Sequence, residues 1–146
     1  MIAFDMDGVL CEILPPRRTK SWGRMNGAER QAWNAGLLAA YHTALPMRRW
    51  QPGCPVITAR KATPEIALAT AAWFQLHYGE TPEHIHYLEK ARTLENNIAH
   101  KARWLLYHGI TVFYDDTLPL LRGLRPLLPA STRLVLVRGR DDIRDI

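Results

Sequence analysis

Two short runs bring acids together. In DMDG, Asp5 and Asp7 lie one residue apart, directly after the apolar Ile2-Ala3-Phe4. In FYDDT, Asp115 and Asp116 follow another apolar run. No aspartate occurs between residues 8 and 114, where every acid is a glutamate. Asp is the shorter, stiffer carboxylate and suits a fixed metal or nucleophile geometry. Two carboxylates at about 4 Å repel by roughly 4 kcal/mol at an effective dielectric near 20. They must be protonated, kept apart or bridged by a cation. Hard oxygen donors select Mg²⁺, which takes one or two carboxylates, water and a phosphate oxygen. A carboxylate can then attack phosphorus, and a second acid two residues on can reach the same space and shuttle a proton.

The rest of the chain has to hold these acids in register. Five β-like runs stand out: Ile2–Phe4, Pro55–Thr58, Ile85–Leu88, Thr111–Tyr114 and Leu134–Val137. Helical patterns fill the gaps. One covers Gly27 to Ala44. The next starts with Thr63 as cap and Pro64 in the first turn, and stops at Gly79. The others cover Leu94 to His108 and Leu118 to Leu124. Strands alternating with helices predict an α/β fold: an open, Rossmann-like parallel sheet with helices on both faces. Ligands of such sheets bind at the carboxyl ends of strands. Asp5, Thr58 and Asp115 all fall at or just beyond such ends, so they converge on one crevice if their strands are neighbours. The terminal RGRDDIRDI, with the other three aspartates, reads as a solvated, frayed end.

These runs resemble the motifs of the haloacid dehalogenase-like (HAD) phosphohydrolases. DMDGV resembles DxDG(T/V), and PVITAR resembles an apolar strand ending in Thr or Ser. Lys101 resembles the lysine upstream of the fourth strand, and TVFYDDT the strand with paired aspartates. The resemblance implies a single phosphatase domain over residues 1–146, with about 11–50 holding a flap, at most a minimal cap, and the first helix. It implies Asp5 as nucleophile and Mg²⁺ ligand. Asp7 becomes the acid that protonates the leaving oxygen, then the base that activates water; its backbone carbonyl also binds the metal. Thr58, Ala59, Arg60 and Lys101 face the phosphate, and Asp115 and Asp116 hold the metal. Asp115 is favoured as the direct ligand. Lys90 is the rival of Lys101, and Arg60 either clamps a phosphate or forms a surface salt bridge.

The formal charge of +5 comes mostly from arginine, with only four lysines. Arginine binds phosphates bidentately, so the charge is compatible with an anionic substrate or nucleic acid. PPRRTKSW, at residues 15 to 22, is the basic part of the expected flap. With little room for a cap, the site would admit a phosphorylated small molecule or a nucleic-acid end. The short layout and TAR motif are similar to the phosphatase domain of polynucleotide kinases. Two other readings stay open: a non-catalytic HAD-like module, and a basic nucleic-acid-binding protein. No apolar run spans a membrane and no leader pattern is visible, so an intracellular, cytoplasmic location is expected. Cys11 and Cys54 lack metal-knuckle or redox spacing and read as reduced core thiols. No HExxH or Cys/His grouping points to zinc, and no P-loop, GxGxxG or GxSxG occurs.

Overall fold

The computed structural model describes residues 1–146. In chain order the elements are β1 (Ile2–Phe4), β2 (Cys11–Glu12), α1 (Gly27–His42), β3 (Leu45–Pro46), β4 (Val56–Lys61), α2 (Pro64–Tyr78), β5 (Ile85–Leu88), α3 (Leu94–Tyr107), β6 (Val112–Asp115), α4 (Leu118–Leu124), β7 (Arg133–Val137) and β8 (Ile143–Asp145). The sheet has six strands in the order β5-β4-β1-β6-β7-β8. Every pairing is parallel except β7 with β8. This is the expected α/β class with a Rossmann-like, mostly parallel sheet. No helix is long and apolar enough to cross a membrane.

A chain of this length is expected to form one domain; its contacts group it into two compact units. Unit 1 comprises residues 1–12, 46–62 and 82–146 and holds the whole six-stranded sheet. Alternate strand residues Ala3, Ile57, Phe113, Leu134 and Leu136 form its core with Ala102 and Leu105 of α3 and Leu120, Leu121 and Leu124 of α4. Alternation puts Phe4 and Tyr114 on the opposite face, where their rings stack 5.3 Å apart. Central strands buried on both faces read as continuous apolar runs, which is why they were visible in the sequence.

Unit 2 comprises residues 13–45 and 63–81, with α1 packed against α2. Each helix begins at a readable signal. Asn26 accepts from the Glu29 N–H, and Glu29 reaches back to the Asn26 N–H. Thr63 Oγ1 accepts from the Ile66 N–H, and α2 ends at Gly79 with φ +71°. Trp73 donates its indole N–H to the Ala44 carbonyl at 2.8 Å.

The C-terminus differs from expectation. It is not frayed: Ile143–Asp145 pairs antiparallel with β7, and Asp145 meets Arg133 at 3.0 Å. Its side chains are exposed, so an Ile-Arg-Asp run with one ladder partner forms an edge strand that an apolar pattern does not reveal.

Candidate active site

The strands carrying the acids are neighbours. β1 lies between β4 and β6, with Phe4 opposite Val56 on one side and Tyr114 on the other. Asp5 follows β1 directly, and its N–H donates to the Tyr114 carbonyl at 2.9 Å. Asp115 is the last residue of β6. β4 continues to Lys61, past the end of β1, so Thr58 lies within the strand and not at its tip. Thr58, Ala59 and Arg60 thus extend along the carboxyl edge of β1.

After Asp5 the chain turns tightly around one carbonyl. Met6 C=O accepts from the N–H groups of Val9, Leu10 and Cys11. Gly8 sits in this turn at φ +82°. A Cβ on Gly8 would lie 2.0 Å from Asp116 Oδ2, so only glycine allows the second aspartate so close to the first loop.

Asp5, Asp115 and Asp116 each bring a carboxylate oxygen within 4.8 Å of the others. Lys101, from α3, reaches into the group. Its Nζ donates to Asp115 Oδ2 at 2.6 Å and lies 3.1 Å from Asp5 Oδ1. Asp115 is fully buried, and its other oxygen accepts from the Thr117 N–H at 2.9 Å. Asp116 is more exposed and accepts from the Thr117 hydroxyl. Lys90, the sequence rival of Lys101, is exposed on the loop after β5, where its carbonyl accepts from Lys61 Nζ.

Two buried acids and the more exposed Asp116 against one lysine leave a negative excess. Burial pushes the Asp5 carboxyl well above the usual range; Lys101 pulls it back, while Asp115, Asp116 and Asp7 add to the rise. Burial and Asp115 also raise Asp116. Burial works against the Lys101 ammonium, but Asp115 and Asp5 outweigh it and hold it above its ordinary range. All three carboxyls are hard oxygen donors, the type of set that suits Mg²⁺.

Asp7 does not join this group. Arg60 grips it bidentately, Nε to Oδ2 at 2.9 Å and Nη2 to Oδ1 at 2.5 Å. The guanidinium is fully buried and the Asp7 carboxylate partly exposed, so Arg60 is not a surface side chain but reaches Asp7 from within. Cys11 lies beside it, with Sγ 3.5 Å from Asp7 Oδ1. Burial, then Asp7, pushes that thiol upward, which keeps it protonated and unreactive. Both cysteines are free.

Thr58 is buried, its Oγ1 accepts from the Arg60 N–H, and Ala59 is buried next to it. The Thr58 carbonyl receives the imidazole Nε2–H of His100 at 2.9 Å, which also reaches the His86 carbonyl at 3.1 Å. His100 precedes Lys101 on α3, so it ties the lysine-bearing helix to β4 and β5. The role of His100 is not legible in the sequence, because nothing in its neighbours announces a partner 42 residues away. A cleft of about 520 Å³ opens between β5 and α3, beside His86, His100, Asn96 and Arg103. None of the four motif aspartates lines it.

Comparison with protein-family models, with curated proteins and with solved structures gave no match.

Proposed function

We propose that the chain is a Mg²⁺-dependent phosphomonoesterase of the HAD type, acting through an aspartyl-phosphate on Asp5. The observation that carries this reading is the meeting of Asp5, Asp115, Asp116 and Lys101 at the carboxyl ends of adjacent strands. The uncompensated carboxylates and the space that Gly8 leaves for Asp116 fit a divalent cation. Asp5, Asp115, Asp116 and the Asp7 carbonyl would hold it. Bound there, Mg²⁺ would offset their charge and take up charge on the phosphoryl oxygens.

The chain's own residues do the rest. Asp5, ionised, attacks phosphorus, and the ester oxygen leaves with its electron pair and a proton from Asp7. Asp7 then takes a proton from water as that water attacks phosphorus; the Asp5 O–P bond breaks with its electron pair returning to the carboxylate, and inorganic phosphate leaves. Lys101 offsets charge developing beside Asp5, and the Thr58 hydroxyl, with backbone N–H groups near Ala59, receives phosphoryl oxygens. Arg60 positions Asp7. For Asp7 to act as the acid, one of the two Arg60 bonds opens and the released carboxylate oxygen takes up a proton from solvent, which also turns a guanidinium N–H toward the substrate phosphate. In this reading residues 11–50 supply a flap and first helix and are too short for a large cap. The natural substrates are nucleotides or phosphorylated nucleic-acid ends.

The test is phosphate release from an aryl phosphate and from 3′- and 5′-phosphorylated oligonucleotides, with Mg²⁺, with EDTA, and for Asp5→Asn. Turnover that needs Mg²⁺ and vanishes in Asp5→Asn is the expected result; none from any ester would sink the proposal. A second reading, nucleic-acid binding as the whole function, draws on unit 2. There Arg18 lies over Trp33 at 5.3 Å and Arg30 over Trp22 at 5.0 Å. It predicts oligonucleotide binding that survives Asp5→Asn in a chain without turnover.

A further inference from the structure

Three of the six histidines, which carry no motif in the sequence, come together away from the carboxylates. His84 immediately precedes β5, and His86 lies two residues on, so both rings project to one side of the edge strand. Their rings lie parallel, 5.9 Å apart. His108 caps the C-terminal end of α3 and faces them, with ring centroids 4.9 Å from His84 and 5.0 Å from His86. One ligand nitrogen of each lies within 4.8 Å of the others. The closest pair, His86 Nε2 and His108 Nε2, is 2.8 Å apart.

From this arrangement we infer that His84, His86 and His108 form a binding site for a late first-row divalent cation, Zn²⁺ in the first instance. Imidazole nitrogen suits Zn²⁺, Ni²⁺ and Cu²⁺ and is a poor donor for Mg²⁺. Three histidines with a fourth position left to solvent is a common zinc ligand set. Two facing Nε2 atoms can share only one proton, so one donates and the other accepts. A tetrahedral cation with bonds of about 2.0–2.1 Å would hold them about 3.3–3.4 Å apart. The pair need only open by about half an ångström, with the shared proton moving to Nδ1 of the ring that carries it so that both Nε2 atoms face the cation.

The site is built to hold its ligands still. His86 lies flat on Trp104, 3.6 Å between centroids and 8° between planes. Glu83 Oε1, 3.9 Å from His84 Nε2, supplies an acid at the rim. Arg103, over Trp104 at 4.8 Å, is the opposing charge. A cation here would clamp the outermost strand to the end of the helix that carries Lys101.

The test uses the full chain after chelator treatment. Zn²⁺ binding is measured by competition with a chromophoric chelator, and Co²⁺ is added separately to read its visible spectrum. The expected result is one equivalent of Zn²⁺, a tetrahedral Co²⁺ spectrum, and a higher melting temperature with Zn²⁺. Affinity falls at least about tenfold in His86→Gln and in His108→Gln, and stays at the parent value in Asp5→Asn. Circular dichroism checks that the variants fold; if one does not, the Co²⁺ spectrum of the parent and the Asp5→Asn result decide. No Zn²⁺ bound at millimolar concentration, an octahedral all-oxygen Co²⁺ spectrum, or binding lost in Asp5→Asn would each overturn the site. These outcomes do not depend on phosphatase activity, which rests on other residues.

Discussion

Asp5 is a residue whose chemistry and stability pull in opposite directions. Its carboxyl is buried among like charges that Lys101 only partly offsets. Replacing it with Asn removes a charge and keeps the shape. Asp5→Asn is therefore expected to melt at a higher temperature than the parent in EDTA, while Mg²⁺ stabilises the parent more than the variant. Thermal melts with and without Mg²⁺ check this; a variant that melts lower in EDTA contradicts the account of the cluster. Gly8 gives a second prediction. Gly8→Ala meets both the +82° backbone and the 2.0 Å approach to Asp116 Oδ2. The backbone strain costs on the order of 1–3 kcal/mol. Displacing Asp116 weakens Mg²⁺ affinity as well, so denaturant melts and a Mg²⁺ titration of turnover should both shift.

The element that matters most is α3, which carries His100 and Lys101 and ends at His108. Burial lowers the proton affinity of His100 and His86, the latter to about 4 from an ordinary 6.5. The groups that act on His86 are His108, His84, His100 and Arg103. Both imidazoles are neutral in the fold and bind protons more tightly in the unfolded chain. For His86 the stabilisation is full above pH 6.5 and is lost as pH falls toward about 4, and the lowered His100 acts in the same direction. Denaturant midpoints over that window should drop with acid, and His86→Gln should flatten the slope; an unchanged slope contradicts the assignment. The elements themselves were largely readable. Thr63-Pro64 and Gly79 bounded α2, and apolar runs marked the five parallel strands. β8 was not readable, because Ile143, Arg144 and Asp145 owe their extended form to hydrogen bonds from β7 and not to their own pattern.

At the scale of the whole molecule the charge of +5 sets the expected response to salt. Arginines that meet a nucleic-acid backbone displace its condensed counterions. KM for a phosphorylated oligonucleotide should therefore rise steeply with salt, while KM for an aryl phosphate rises far less. Equal salt dependence for both would remove the case for a nucleic-acid end as substrate.

Several features were settled by the sequence alone. The class of fold follows from buried strands alternating with capped helices, since both patterns are local. The placing of Asp5 and Asp115 follows from their position after apolar runs, because an open parallel sheet leaves its carboxyl edge free for ligands. Three-dimensional packing decided the rest. It set β4, β1 and β6 side by side, chose Lys101 over Lys90 as the lysine beside Asp5 and Asp115, and turned Arg60 inward onto Asp7. It also gathered His84, His86 and His108. None of these pairings is local: Asp7 and Arg60 are 53 residues apart, and His86 and His108 are 22 apart. Which distant side chains meet depends on strand order and helix packing, and those come from the burial of the whole chain at once.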